Sequence, residues 1–274
     1  MKSLNGQELA DFIKQRQAHQ VRGLTWHDHI TPKLAIIQTV DNRVVNTYVG
    51  LKQAYGADIL IDVDVHKIPQ TAALDLIKKL NDDPTVHGII VQLPLENPDQ
   101  TDEILNAIAP AKDVDGLGQN AVLDSATPTA INWLLAGYDI DLKQKQIVIV
   151  GNGRLVGRPL SQMWRDSGLN VAVVDIDTKD TSEQLRAADL IVSATGVPGL
   201  IQSSDLKPGT IVIDAGTADG HGKIVGDVAP NVRSRTDLMV TPKIGGVGPL
   251  TVAALMENVI RAARGANQKL TDLT

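Results

Sequence analysis

Cysteine is absent from all 274 residues, which excludes disulfides, a thiolate nucleophile and any cysteine-ligated zinc site. A chain without thiols fits a reducing compartment. Basic charge is also short: the formal net charge is −6, with no basic surface to hold nucleic acid by counterion release. No apolar run approaches the roughly 18 residues that a membrane helix needs. The N-terminal stretch MKSLNGQELADFIKQRQ is polar and amphipathic, without the uninterrupted apolar core of a signal peptide. The expectation is a cytoplasmic protein with neither a membrane nor a nucleic-acid partner. Its length suits one large or two modest domains.

What is present is a regular alternation of apolar runs and helix-like segments, the pattern of a parallel α/β architecture. Helical spacing marks 7–17, 44–55, 70–80, 102–108 and 129–136. Strands are expected at 33–40, 58–65 and 87–93. From Gly116 the pattern loosens into loops, then resumes with strands at 146–150, 171–175, 189–193, 210–214 and 238–241. A helix over 249–264 closes the pattern. The nucleotide-type strands occupy only the later part, so a separate N-terminal α/β domain is expected, with a boundary near 116–123 and a reaction cleft between the two.

The most informative stretch is QIVIVGNGRLVG, residues 146–157. A buried strand runs into Gly151, Asn152, Gly153, Arg154, Leu155, Val156 and Gly157. Glycines there let the backbone approach a pyrophosphate, and the following helix N-terminus offers free N–H donors. A second apolar run ends at Asp175, where an acid can grip a ribose diol. Together they predict dinucleotide binding, with Ala194, Thr195, Gly196 and Thr217 completing the expected cofactor set.

Other constellations are ambiguous on spacing alone. Tyr48 and Lys52 share a helical face, and a surface lysine beside a half-buried tyrosine is the plainer reading. Gln92 precedes Leu93-Pro94 at a strand's carboxyl edge, as a ligand contact or as a cap for loop amides. Asp113 and Asp115 within Lys112–Gly116 read first as turn-forming side chains. In Gly245-Gly246-Val247-Gly248-Pro249-Leu250-Thr251, three glycines in four residues exceed what helix entry requires, which predicts close approach to a ligand. Trp26-His27-Asp28-His29 lacks a third ligand, so no metal site is expected. His66, His87 and His221 read as structural or exposed.

Taken in order, these segments resemble the methylenetetrahydrofolate dehydrogenase/cyclohydrolase family over nearly the whole chain. Tyr48-Val-Gly-Leu-Lys52 is similar to its Tyr-x-x-x-Lys element, residues 86–95 to its glutamine-bearing strand end, and Lys112–Gly116 to its KDVDG signature. Gly226-Asp227-Val228 and Gly245-Gly-Val-Gly-Pro249 resemble its last two marks. The resemblance implies a catalytic α/β domain over 1–118 completed by a C-terminal helix over 250–274, and a Rossmann-type dinucleotide-binding domain over 119–249. It implies hydride transfer from the methylene carbon of a folate to NAD(P), then hydration of the methenyl cation to 10-formyltetrahydrofolate. Lys52 would be the base or proton relay, with Gln92 holding its amine. Tyr48 would lie against the folate, and Asp115 would accept from the pterin edge. Leu93, Gly246, Gly248, Pro249 and Thr251 would be further substrate contacts. A homodimer is the family's usual assembly.

The chain also departs from the family pattern. Val45 stands where a serine is common, and Ser125-Ala126-Thr127-Pro128 replaces Pro-Cys-Thr-Pro. Members that use NADP carry Arg-Ser where this chain has Asn152-Gly153, and His-Ser-x-Thr where it has Asp175-Ile176-Asp177-Thr178. An acidic pocket repels a 2′-phosphate and can accept from ribose hydroxyls, so NAD is expected over NADP, with Arg154 and Arg158 as opposing cations. Two rivals remain: an NAD-dependent amino or hydroxy acid dehydrogenase, which leaves KDVDG and GGVGP unexplained, and a non-catalytic folate- or nucleotide-binding member of the family. Turnover of methylenetetrahydrofolate with NAD discriminates both.

Overall fold

The computed structural model describes residues 2–175, 177–178, 180–219 and 224–271, so His221 lies outside the described residues. In chain order, β1 (Lys2–Ser3) and α1 (Gly6–His27) precede β2 (Lys33–Gln38), α2 (Arg43–Ile59) and β3 (Asp62–Lys67). Then come α3 (Ala73–Asp82), β4 (Gly88–Gln92), α4 (Thr101–Asn106) and α5 (Ala126–Gly137). A βα series follows: β5 (Ile147–Val150), α6 (Gly157–Asp166), β6 (Val171–Val174), α7 (Thr181–Ala187), β7 (Leu190–Ser193) and β8 (Ile211–Asp214). The short β9 (Ala218–Asp219), β10 (Ile224–Val225), α8 (Pro230–Arg233) and β11 (Met239–Val240) lead to the long α9 (Val247–Thr271).

The chain divides into two compact units, Asp11–Ala126 with Val252–Thr274, and Met1–Ala10 with Thr127–Thr251. In the first, a three-stranded parallel sheet runs in the order β3-β2-β4. Its central strand KLAIIQ is buried almost throughout, as a strand covered on both faces must be. Ala35, Ile37, Ile89 and Val91 pack with Ile77 and Leu80 of α3 and with Ile104 and Leu105 of α4. The C-terminal helix joins this unit through α1: Gln17 Nε2 donates to the Ala253 carbonyl at 2.8 Å and to Glu257 Oε2 at 3.1 Å, and Arg16 pairs with Glu257.

The second unit is built on a six-stranded parallel sheet in the order β1-β11-β8-β7-β5-β6. From β5 the chain passes to β6 on one side and then to β7 on the other. That reversal opens a crevice at the carboxyl ends of β5 and β7, where ligands of such sheets bind. Val148, Val174, Ile191, Val212 and Val240 form its core with Leu185 of α7 and Val232 of α8.

Several boundaries differ from expectation. The first ten residues belong with the nucleotide-type unit because Lys2 and Ser3 pair with Met239 and Val240, a two-residue strand too short to show periodicity. Residues 119–126 fall in the other unit. The strand expected at 58–65 starts at Asp62, because α2 continues to Ile59. It stops at Leu60, whose left-handed backbone (φ 64°) lets its N–H return to the Gly56 and Ala57 carbonyls. Helix α1 runs ten residues past Gln17, since its inward stripe passes through the fully buried Gln17 before reaching Val21 and Leu24. Helix α9 begins at Val247 rather than Pro249; within a first turn, proline's missing N–H costs no helical bond. Among the described residues no helix is long and apolar enough to cross a membrane.

Candidate active site

Helix α2 starts where the Asn42 side chain accepts from the Val45 N–H at 2.9 Å, a standard N-cap. Val45, which departs from the serine common at this position in the resembled family, is buried, so its apolar side chain serves the core. Tyr48 and Lys52, one turn apart, are both half-buried. The Lys52 Nζ donates to Gln92 Oε1 at 2.6 Å, and Gln92 Nε2 donates to the Leu93 carbonyl at 3.0 Å. Gln92 is therefore held as an acceptor toward the lysine. It occupies the last residue of β4, in register with Gln38 at the end of β2.

The charge of Asp115 acts on the same amine. Burial pulls the Lys52 pKa below its ordinary value, opposed by the charge of Asp115. Burial pushes the Asp115 carboxyl up to about 6, opposed by Lys52 and reinforced by Asp113. Lys52 is thus hydrogen-bonded to Gln92 and electrostatically coupled to Asp115, while the rest of KDVDG builds the loop. Lys112 Nζ donates to the Leu80, Asn81 and Asp83 carbonyls at 2.6 to 2.9 Å, capping the end of α3. Asp113 accepts from the Gly116 and Gly118 N–H groups at 3.0 and 2.7 Å. The turn-forming reading holds for Asp113 and not for Asp115.

In the other unit, Gly151 adopts φ 97°, and a Cβ there would lie 2.8 Å from the Ala194 carbonyl oxygen. A Cβ on Gly157 would overlap the Gly151 carbonyl oxygen, so glycine is required at both ends of the turn. The Arg158 N–H returns to the Gly153 carbonyl at 3.0 Å as α6 begins. Asn152, Gly153 and Leu155 are exposed, Arg154 is half-buried and Val156 is buried. Asp175 follows β6 directly, and Val174 is in register with Val150 just before Gly151. Its Oδ1 accepts from the Thr178 hydroxyl at 2.8 Å and the Asp177 N–H at 3.2 Å, a local turn that fixes the carboxylate. At Gly196 (φ 70°) a Cβ would lie 3.2 Å from the Thr217 carbonyl oxygen.

Residues 4–115 match the catalytic domain of the tetrahydrofolate dehydrogenase/cyclohydrolase family, and residues 125–267 match its NAD(P)-binding domain. The chain belongs to this family. It is 36% identical to the bifunctional protein FolD of Lactobacillus acidophilus, over 97% of this chain and 98% of that one. The crystal structure of the Campylobacter jejuni bifunctional enzyme FolD superposes with a TM-score of 0.88 at 38% identity, covering 97% and 99% of the two chains. The Trypanosoma brucei enzyme, solved with NADP cofactor and an inhibitor, gives a TM-score of 0.89 at 29% identity, covering 96% and 97%.

Within this folate-enzyme framework, two glycine-bearing motifs acquire structural roles. The Gly245 carbonyl accepts from the Gly6 and Gln7 N–H groups at 2.8 and 3.1 Å, and a Cβ on Gly6 would overlap the Gly246 carbonyl oxygen. The Gly245 carbonyl thus caps the start of α1, a structural role for this turn beside the close approach to a ligand that its glycines suggest. The space at Gly248 is open, and the Thr251 hydroxyl donates to the Val247 carbonyl at 3.3 Å. Asp227 of the GDV motif, given no role from sequence, is fully buried. Its Oδ2 accepts from the Ser193 hydroxyl and from the N–H and hydroxyl of Thr195 at 2.7 to 2.9 Å. Thr195 is thereby oriented by Asp227, while Asp214 accepts from Arg233 at 2.6 Å. Their sequence signal was Gly216 and Gly226, where any Cβ would overlap the Asp227 and Asp214 carboxylates respectively.

Of the lone histidines, His66 and His87 lie among the described residues and make local polar contacts. His87 Nδ1 accepts from the Lys33 N–H at 3.2 Å, and His66 lies 3.4 Å from Asp64. Among the described residues no group of three or more metal-ligating side chains is gathered.

Proposed function

We propose that Lys52, Gln92, Tyr48 and Asp115 carry the folate chemistry of this chain. The protein is a bifunctional enzyme of one-carbon metabolism. It oxidises 5,10-methylenetetrahydrofolate to the 5,10-methenyl cation and hydrolyses that cation to 10-formyltetrahydrofolate. The observation that supports this assignment is the 2.6 Å contact between the Lys52 amine and an uncharged acceptor, with a single carboxylate opposing burial.

Burial destabilises the ammonium form of Lys52, and a cationic methenyl group beside it would do so further, so a neutral amine becomes accessible. As water attacks the cationic carbon, the amine takes one of its protons. The bond from that carbon to N5 then breaks, N5 takes up a proton, and the remaining proton leaves to solvent. Gln92 orients the amine without adding a charge that would hold it protonated. Asp115, still largely ionised above its pKa of about 6, accepts from the paired N–H donors of a pterin edge. Tyr48 offers its ring to the folate, and Leu93, Gly246, Gly248, Pro249 and Thr251 are proposed as further contacts on the resemblance alone.

The glycine turn fits a dinucleotide: Gly151 and Gly157 leave no room for Cβ, and the ten-residue α6 starts there. When bound, the nicotinamide supplies the hydride acceptor. Gly151 to Gly157 would cradle the pyrophosphate, and Ala194, Thr195, Gly196 and Thr217 would line the nicotinamide side. For the ribose we propose NAD over NADP, because a carboxylate fixed at Asp175 repels a 2′-phosphate and can accept from a diol. A homodimer is proposed on the family resemblance. Absorbance assays of methylenetetrahydrofolate with NAD and then NADP test the cofactor, and a clear NADP advantage in kcat/KM would overturn that choice. Lys52→Met tests the site; retention of full cyclohydrolase activity would remove it.

A further inference from the structure

The segment that carries Asp115 has almost no regular structure of its own, so its shape depends on what holds it. Val114 and Asp124, ten residues apart, offer their carbonyls to one side-chain amide: Asn258 Nδ2 of α9 donates to both at 2.9 Å. Both hydrogens of that amide are spent on this loop, and Asn258 is buried. The two limbs lie against each other. Gly116 (φ 67°) has no room for a Cβ, which would sit 2.6 Å from the Leu123 carbonyl oxygen, and the Ser125 hydroxyl donates to the Gly116 carbonyl at 2.7 Å. Helix α9 is itself fixed against β4, where a Cβ on Gly88 would meet Val114 and Val259.

The Val114 carbonyl belongs to the same rigid peptide plane as the nitrogen and Cα of Asp115. Fixing that carbonyl fixes the direction in which the Asp115 side chain leaves the backbone. We propose that Asn258 is a positioning residue for Asp115, clamping the loop so that its carboxylate is aimed and kept from water. The proposal rests on the reading of Asp115 as the folate acceptor.

The test is Asn258→Leu, which keeps the branched side-chain skeleton and the helix and removes both donors, measured beside Asp115→Asn in the full-length enzyme. Loss of one hydrogen bond's worth of orientation predicts a KM for methylenetetrahydrofolate raised about fivefold or more, with the dinucleotide KM within about twofold of wild type. A loosened loop also admits water to the Asp115 carboxyl, so the acidic limb of the kcat/KM profile moves to lower pH. Ser125→Ala, which loosens the other limb, is expected to move both readouts the same way by less, and it decides the matter if Asn258→Leu does not fold. A lowered Tm with folate KM and acidic limb unmoved would overturn the positioning role. An Asp115→Asn enzyme with unchanged folate KM would instead overturn the reading on which it rests.

Discussion

Lys52 and Gln92 meet end to end, an amine nitrogen 2.6 Å from an amide oxygen, and the partner's neutrality is as informative as its distance. A carboxylate in the same place would favour the ammonium form. Gln92→Glu is therefore expected to raise the Lys52 pKa and to shift the cyclohydrolase profile toward alkaline pH. Rates at neutral pH should fall on the order of tenfold or more. A pH–rate profile that does not move would show that the Lys52 proton is not the one being transferred.

Asp115 couples function to stability. Its folded pKa of about 6 lies above the unfolded value near 3.8. The sign follows from linkage: the folded state favours the protonated form, so this contribution to stability is fully present below about pH 3.8 and is lost as pH rises through 6. Asp115→Asn removes that loss. The Tm difference between variant and wild type should accordingly be more positive at pH 8 than at pH 5, while folate KM rises. Thermal melts at the two pH values with identical differences would contradict the burial of this carboxyl.

Asp175→Asn keeps an oxygen for Thr178 and the Asp177 N–H but removes the charge. The ratio of NADP to NAD kcat/KM should rise about tenfold, the equivalent of roughly 1.4 kcal/mol, in line with one charge pair near a protein surface. An unchanged ratio would mean that Asp175 only forms its local turn.

Gly157→Ala places a methyl group against the Gly151 carbonyl and should collapse the nucleotide turn. Dehydrogenase activity is expected to fall at least about 100-fold, with hydration of preformed methenyltetrahydrofolate largely retained, because Lys52, Gln92 and Asp115 belong to the other unit. Parallel loss of both activities in a folded protein would show that the two half-reactions cannot be separated this way.

Much of this site was legible in the sequence wherever a motif reports a backbone constraint. Gly151 and Gly157 announced a turn in which no Cβ fits, and the continuous apolar runs of β2, β5, β7 and β8 announced strands covered on both faces. Alternation misled where it crossed a helix end, as at Asp58 and Ile59, because two residues on either side of a cap look alike in polarity. The inward-facing Gln17 hid the second half of α1 for a related reason: its polar groups are satisfied by Ala253 and Glu257, far away along the chain.

The sequence alone determined the order of the strands along the chain, the glycine turn, and the residue types that chemistry at Lys52, Gln92 and Asp115 requires. These are local properties, fixed by backbone sterics and side-chain identity. Only the tertiary structure decided that Asp113 ties the KDVDG loop while Asp115 is coupled to the lysine, and that the Gly245 carbonyl serves the start of α1. It also decided that Asn258 holds the Val114 and Asp124 carbonyls and that Asp227 holds Thr195, each far away along the chain. Such roles depend on hydrogen-bond partners tens of residues away, and burial sets their strength; neither is encoded in spacing.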